Sequence, residues 1–425
     1  MYKPPHHGGS REVKLTMKEL GEIASRKIDW SDCAFDTVLR SFLTTAVHQQ
    51  LPVAAWRLPN QQTRHVILDI SGQASWVDWQ LEELAPGFIT SPFLTNQTQS
   101  PYIRADIYYR SGEEEWQVNP TANLRHYSEI RTSLLKYVNQ SSPAPVHTPA
   151  HSEKYSDSNQ TQFSTIVEEA VQQIEQGAFK KVVPSRRKLV VLPSNFDVAT
   201  TFQRLCEAYP AAFVSVFSIP GVGTWMGASP EILVSTYRAD QRQMFRTVAL
   251  AGTQPLEGKN PLKNAAWRQK EIEEQAMVSR YIINCFKKIR LREFEEDGPK
   301  TTAAGNLLHL RTDFTVDMDA TNFPELGSVM LKLLHPTSAV CGMPKEPALE
   351  FIRQKEGYDR SFFSGFLGPV NIQNEISLFV NLRCVQLLGQ QAALYAGAGI
   401  TIDSEPEKEW TETEIKMRTI QQYLQ

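Results

Sequence analysis

The sequence predicts an α+β fold built on large antiparallel sheets, and three observations carry that prediction. Short runs of alternating apolar residues recur and are joined by tight turns, as where "AAFVSVFSI" and "TWMGASPEILVS" flank "PGVG". Among these runs stand long segments with apolar residues at helical spacing, for example Ile166, Val167, Ala170, Val171 and Ile174. The chain has 425 residues and no internal repeat at a fixed period, which suits two or three domain-sized units or one large composite fold.

Taken in order, residues 1–140 form an N-terminal region with strand candidates "HVILDISG" and "YIRADIYYR". Its first residues, "MYKPPHHGGSREVK", lack the apolar core of a signal peptide, and the "HHGGS" within them carries no functional weight. Residues 139–162 are rich in Ser, Pro, Asn and Gln and read as a linker or long surface loop. Residues 163–425 make the larger region. It opens with a helix over 163–179 that ends near Gly177, followed by "FKKVVPSRRKLVVL" as one strand with a basic stretch inside it. After the two alternating strands comes a long helix from about Ala265 to Phe294, then strands at "ISLFVNLRCVQLL" and "AALYAGAGI". The last helix runs from about Glu407 to Leu424, with Ser404, Pro406 and Glu407 reading as its capping box.

Composition narrows the function classes. A net charge of −3 gives no reason to expect nucleic acid or an anionic membrane as partner. No apolar run approaches the ~18 residues of a membrane span. Five scattered cysteines with no CxxC spacing point to a reducing compartment without disulfides or thiolate metal sites, so a cytoplasmic protein is expected. The lack of a coiled-coil stripe leads us to expect a monomer.

Several residues are chemically conspicuous. Glu271 with Glu274, and Glu409 with Glu412, are pairs at i and i+3, so each presents two carboxylates on one helix face. Solvated surface is the ordinary reading of one such pair; as a set, oxygen-only ligands suit Mg²⁺. Gly397-Ala398-Gly399 leaves backbone N–H groups open to an anion, although a plain tight turn competes. Arg383 lies in an apolar strand and needs a carboxylate or phosphate, either of a ligand or of an internal salt bridge. Glu231 sits among apolar residues, where burial raises a carboxyl pKa as a general acid requires. Lys181 stands directly against Val182 and Val183; an edge-strand lysine explains that, and so does a stem lying on apolar surface with its head in water. His335 precedes a proline and is either a cavity wall or a core histidine.

The order of these residues is informative as a set. Lys181 in "KVVPSRR", Glu231 in "GASPE", "LAGT" at 250–253 and "KEIEEQAMV" at 270–278 come first. They are followed by "HPTSAVCGMP" at 335–344, "FFSGFLGPV" at 362–370, "NLRC" at 381–384, "YAGAGI" at 395–400 and "EKEWTETEIK" at 407–416. Over roughly residues 160–425 the chain resembles the chorismate-utilising enzymes, which comprise isochorismate synthases, salicylate synthases and the large subunits of anthranilate and aminodeoxychorismate synthases. The resemblance implies two pseudo-symmetric halves built on antiparallel sheets with the active site between them, the variable region 1–140 packing into the same body.

It also implies roles. Anthranilate synthases carry a glutamine where this chain has Lys181, and aminodeoxychorismate synthases a lysine where it has Ala251. Lysine at 181 with alanine at 251 resembles the water-using branch, so no glutaminase partner is expected. Lys181 would be the base that takes a proton from water attacking C2 of chorismate, and Glu231 the acid that protonates the leaving C4 hydroxyl. Mg²⁺ would be held by Glu274 and Glu412, with Glu271 and Glu409 acting through waters or from behind, and would meet the ring carboxylate. Without the ion, four glutamates are expected to repel that carboxylate. The enolpyruvyl carboxylate would meet Arg383, the backbone near Gly399 and the Tyr395 hydroxyl. Lys416 matches a substrate-contacting lysine, and His335, Thr253, Ser229 and Phe363 would complete the wall. The family's acidic-His pattern reads Glu274-Gln275 here, and an aspartate common at the first metal-helix position in some relatives is Glu271. The leading expectation is an isomerase, isochorismate synthase, feeding menaquinone or a siderophore. Salicylate synthase is the alternative; an aminating synthase or a non-catalytic anion-binding paralogue stands behind both.

Overall fold

The computed structural model describes residues 28–425, apart from 73, 95–98, 121, 123, 151–154, 257–260 and 305–306. Two nine-stranded antiparallel sheets form its centre. In spatial order the first contains Gln117–Val118, Ile107–Arg110, His65–Leu68, Val53–Arg57, Phe213–Ile219, Gly223–Ser229, Cys384–Leu388, Gln391–Gly397 and Ser185–Val191. The second contains Glu295–Ala304, Leu307–Asp317, Arg242–Pro255, Ile232–Ala239, Ile376–Val380, Phe366–Val370, Gly87–Ser91, Gln99–Arg104 and Ser75–Asp78.

The sheets face one another across an aromatic layer. Trp56, Phe213, Trp225 and Tyr395 from the first sheet pack with Phe88, Leu367 and Phe379 from the second. Phe213 and Phe379 stack with ring centroids 4.1 Å apart. Helices cover the outer faces. Phe35–Gln49, Leu124–Tyr137 and Val198–Ala208 bury their apolar sides on the first sheet. Gln160–Glu175, Gln269–Lys288, Leu326–Leu334 and Lys345–Lys355 do so on the second. The α+β expectation with large antiparallel sheets holds, as four layers in the order helix, sheet, sheet, helix.

Four of the predicted strands are each two. "YIRADIYYR" divides into Gln99–Arg104 of the second sheet and Ile107–Arg110 of the first. "TWMGASPEILVS" divides at Pro230-Glu231, and "ISLFVNLRCVQLL" at residues 381–383, again with one piece in each sheet. "FKKVVPSRRKLVVL" divides before Pro184, so that Lys181–Val182 pairs with Gly342–Met343 in a small separate sheet. The physical cause is local: Pro184 and Pro230 have no N–H for a ladder, and Arg383 turns left-handed at φ 49°. Alternation of side chains reports strand character but not which sheet a strand joins.

The long helix and the last helix are shorter than predicted, and the helix expected from 163 begins at Gln160. The long helix is Gln269–Lys288, and the backbone N–H of Arg268 before it donates to the Glu271 carboxylate. The last helix is Pro406–Gln421. Ser404 does not cap it; its Oγ accepts the Thr401 N–H and closes the preceding turn instead. Within 139–162, the Ala144 N–H donates to Asp197, and His147 is buried with its ring nitrogen 3.0 Å from the Leu51 carbonyl. All five cysteines are free. Among the described residues no helix is long and apolar enough to cross a membrane.

Candidate active site

The strand breaks build the site. At the first, the Val183 carbonyl and the Ser185 N–H find side-chain partners instead of a ladder. Arg360 donates to the Val183 carbonyl at 2.6 Å and to the Val340 carbonyl at 2.9 Å, while the Glu356 carboxylate accepts the Ser185 N–H at 2.6 Å. This brace presents Lys181, 3% exposed, into a pocket. The second and third breaks lie side by side. The Val380 N–H donates to the Glu231 carbonyl, Ser229 Oγ donates to the Val380 carbonyl, and the Ala228 N–H donates to the Arg383 carbonyl. Glu231 and Arg383 therefore enter the same pocket from neighbouring crossovers.

Two helices supply the carboxylates. Glu271 and Glu274 project from Gln269–Lys288, and Glu412 with Lys416 from Pro406–Gln421; all four line the pocket. Lys181 Nζ donates to Glu274 Oε1 at 2.6 Å, and Lys416 Nζ to Glu412 Oε1 at 2.6 Å and to the Gly397 carbonyl at 2.9 Å. Arg268 holds Glu271. Gly399 leaves close room for the first pair: a Cβ there would stand 3.0 Å from Lys181 Cε and 3.3 Å from Glu274 Oε1. Phe363 and Tyr395 form an aromatic wall, their rings stacked at 5.5 Å.

Burial pushes the Glu231 carboxyl up to about 7, although Lys181, the Thr337 hydroxyl and Arg383 pull it down. Burial would also raise Glu274 and Glu412, but Lys181 and Lys416 respectively outweigh it and hold both below the ordinary carboxylate value. Burial lowers Arg383 to about 10, and its Nη1 is buried with no hydrogen-bond partner. A cationic donor in that condition calls for an anion.

Lys181, Glu231, Glu271, Glu274, Glu412, Arg383, Gly399, Tyr395, Lys416 and Phe363 thus meet in one pocket. Glu409 lies outside the lining, near Lys270 at 3.6 Å, with its carboxyl raised by burial and by Glu412. Three expectations come out differently. His335 belongs to the core, edge-on to Trp79 and Phe366, with burial taking its ring down to about 3. Ser229 ties the crossovers together rather than lining the wall. The Tyr395 hydroxyl is spent on Gln386 Oε1 at 2.9 Å. The Thr253 side chain lies outside the described residues.

The expected repulsion is also corrected, because the glutamates stand against cations: Arg268, Lys181, Lys270 and Lys416. Among the described residues no three acidic, His or Cys groups converge as a ready-made cage. The donor set nonetheless fits a hard divalent ion. Its donors are oxygen only, and Glu274 and Glu412 line the same pocket. Sequence reasoning missed His309 and Arg360, which also line the pocket. His309 hides in the alternation of "NLLHLRTD", and Arg360 is signalled only by Glu356 four residues before it.

The family described as chorismate binding enzyme matches residues 81–425. Isochorismate synthase EntC of Escherichia coli (strain K12) is 29% identical over 266 residues, 61% of this chain and 66% of that protein, so the match spans just under two thirds of the relative. Isochorismate synthase MenF of Bacillus subtilis (strain 168) is 28% identical over 338 residues, 78% of this chain and 68% of that protein. Among solved structures, MenF, the menaquinone-specific isochorismate synthase from Escherichia coli, superposes with a TM-score of 0.72 at 21% identity, covering 96% of this chain and 98% of its own. The fold is accordingly that of the chorismate-utilising enzymes. With 81–425 matched, the chain belongs to the chorismate binding enzyme family.

Proposed function

We propose that this protein is an isochorismate synthase, an isomerase that adds water at C2 of chorismate and expels the C4 hydroxyl. The observation that carries the reading is the pairing of a buried lysine, Lys181, with a carboxyl held near 7, Glu231, in one pocket. Near neutral pH a carboxyl of that kind is still partly protonated and able to donate. Arg383, with its unpartnered buried Nη1, would receive the enolpyruvyl carboxylate. Lys416 and the backbone at Gly397 and Gly399 would orient the rest of the side chain.

In the reaction Lys181 must first let go of Glu274 and lose one ammonium proton to solvent. Its lone pair then takes a proton from water as the water oxygen bonds to C2. The ring double bonds shift, the C4–O bond breaks, and Glu231 delivers its proton so that the hydroxyl leaves as water. Proton return from Lys181 to Glu231 restores the pair, and the net change is an isomerisation. Alanine at 251 puts no competing amine beside the ring, and the apolar wall of Leu250, Phe363 and Leu382 limits stray water. Mg²⁺, held by Glu274 and Glu412 with Glu271 and Glu409 behind, would supply charge neutralisation and orientation of the ring carboxylate.

The test is incubation of the protein with chorismate and Mg²⁺ in ¹⁸O-water, with products separated by chromatography, beside Lys181→Ala and Glu231→Ala. The expected result is isochorismate labelled at C2, without pyruvate, and absent from both variants. Salicylate with pyruvate would reassign the protein to the lyase-coupled reaction. No product, with or without ammonia, would leave a binding protein.

A further inference from the structure

Strand Arg242–Pro255 loses register against Leu307–Asp317 between Ala251, which faces Leu310, and Gln254, which faces Leu308. Residues 252 and 253 therefore stand opposite a single residue, His309, in a β-bulge without their ladder partners. Gly252 turns left-handed there, at φ +68°, and a Cβ on it would stand 3.1 Å from Glu271 Cβ. Its backbone groups are both used by the site. The carbonyl is 2.8 Å from His309 Nδ1, and the N–H faces the Glu274 carboxylate and helps to hold it below the ordinary carboxylate value. A carbonyl oxygen only accepts, so Nδ1 carries the proton in this contact. Burial, with Arg383 acting in the same direction, takes the ring down to about 4 and keeps it neutral.

Next to Glu274, Gln275 stands where the family's pattern has histidine. Its Nε2 donates to the Ala249 carbonyl at 3.1 Å and to Thr312 Oγ1 at 3.0 Å. Ala249 and Thr312 are a cross-strand pair just before the bulge. The amide therefore pins helix Gln269–Lys288 across both strands at the level of the Gly252 turn.

We propose that His309 and Gln275 are positioning residues, His309 fixing the Gly252 peptide and Gln275 the helix, so that the Gly252 N–H aims the Glu274 carboxylate for its metal ion. The proposal rests on the reading that Glu274 holds Mg²⁺. Groups behind a metal ligand fix its rotamer, and their loss typically costs about 10–100-fold in metal affinity.

The test is titration of Mn²⁺, followed by electron paramagnetic resonance, into the full chain without substrate. Two matched pairs of variants are used, with thermal melting as a check on folding. His309→Asn places an amide N–H where Nδ1 stood, whereas His309→Gln places it where Nε2 stood. Gln275→His retains a donor, and Gln275→Leu removes it at similar volume. We expect His309→Gln and Gln275→Leu to weaken Mn²⁺ binding by about 10-fold or more, with His309→Asn and Gln275→His within about 3-fold of the wild type. Equal affinities within each pair would overturn the positioning roles. If the wild type itself bound no Mn²⁺, the metal reading would fail first and this proposal with it.

Discussion

Glu231 shows how one side chain's surroundings set both chemistry and stability. Its carboxyl rises from the ordinary 4.5 to about 7, chiefly by burial. Between those values the folded protein holds a proton that the unfolded chain has lost. Stability from this group is therefore fully present below about 4.5 and is lost as pH rises through about 7. The loss is on the order of 3 kcal/mol, from the size of the shift. Glu231→Gln, always neutral, should melt close to the wild type at pH 5 and distinctly higher at pH 8, while its turnover is lost at both. Equal melting differences at the two pH values would mean that the carboxyl titrates as it does in water. The same group should make kcat/KM fall above about pH 7, since the acid must be protonated when it acts.

The elements owe their catalytic value to being interrupted. Lys181, Glu231 and Arg383 all stand at or beside a strand break, and the pocket is made where the chain crosses between sheets. Much of the site was legible in the sequence because the groups that do chemistry are rare in apolar strands: a lysine beside valines, a glutamate, an arginine. What stayed hidden was long-range. His335 sits in a motif like a site residue yet packs edge-on to Trp79, because nothing local tells which side of Pro336 faces the cavity. Arg360 reads as one more charge near a loop, but it and Glu356 are both buried and together hold the break after Lys181. Removing one partner of a buried pair strands the other, so Arg360→Met should cost about 3–5 kcal/mol in denaturant unfolding. Adding Glu356→Gln should recover part of that loss, because the orphaned charge disappears. A double variant less stable than the single one would show that backbone bracing, not the ion pair, is what Arg360 contributes.

At the scale of the whole molecule the charge balance is uneven. The chain carries a net −3, yet the pocket is lined by six cations, Lys181, Arg268, Lys270, Arg360, Arg383 and Lys416, against four carboxylates. One of the four, Glu231, is largely protonated below about pH 7. Such a balance would attract a dianion such as the proposed substrate, and long-range attraction of that kind weakens with salt. The same cations occupy the glutamates that a divalent ion would need. Lys181 Nζ, 2.6 Å from Glu274 Oε1, is a competitor for the ion as well as the proposed base. Lys181→Met keeps most of the length of the side chain and removes its charge. It should therefore bind Mn²⁺ more tightly than the wild type in the absence of substrate, by about tenfold if the competing pair contributes roughly 1.4 kcal/mol. The gain should shrink at high ionic strength, where charges in the open part of the pocket are screened. Unchanged or weaker binding would mean that Lys181 leaves Glu274 free to take the ion, and that the pair at 2.6 Å persists beside the metal instead of yielding to it.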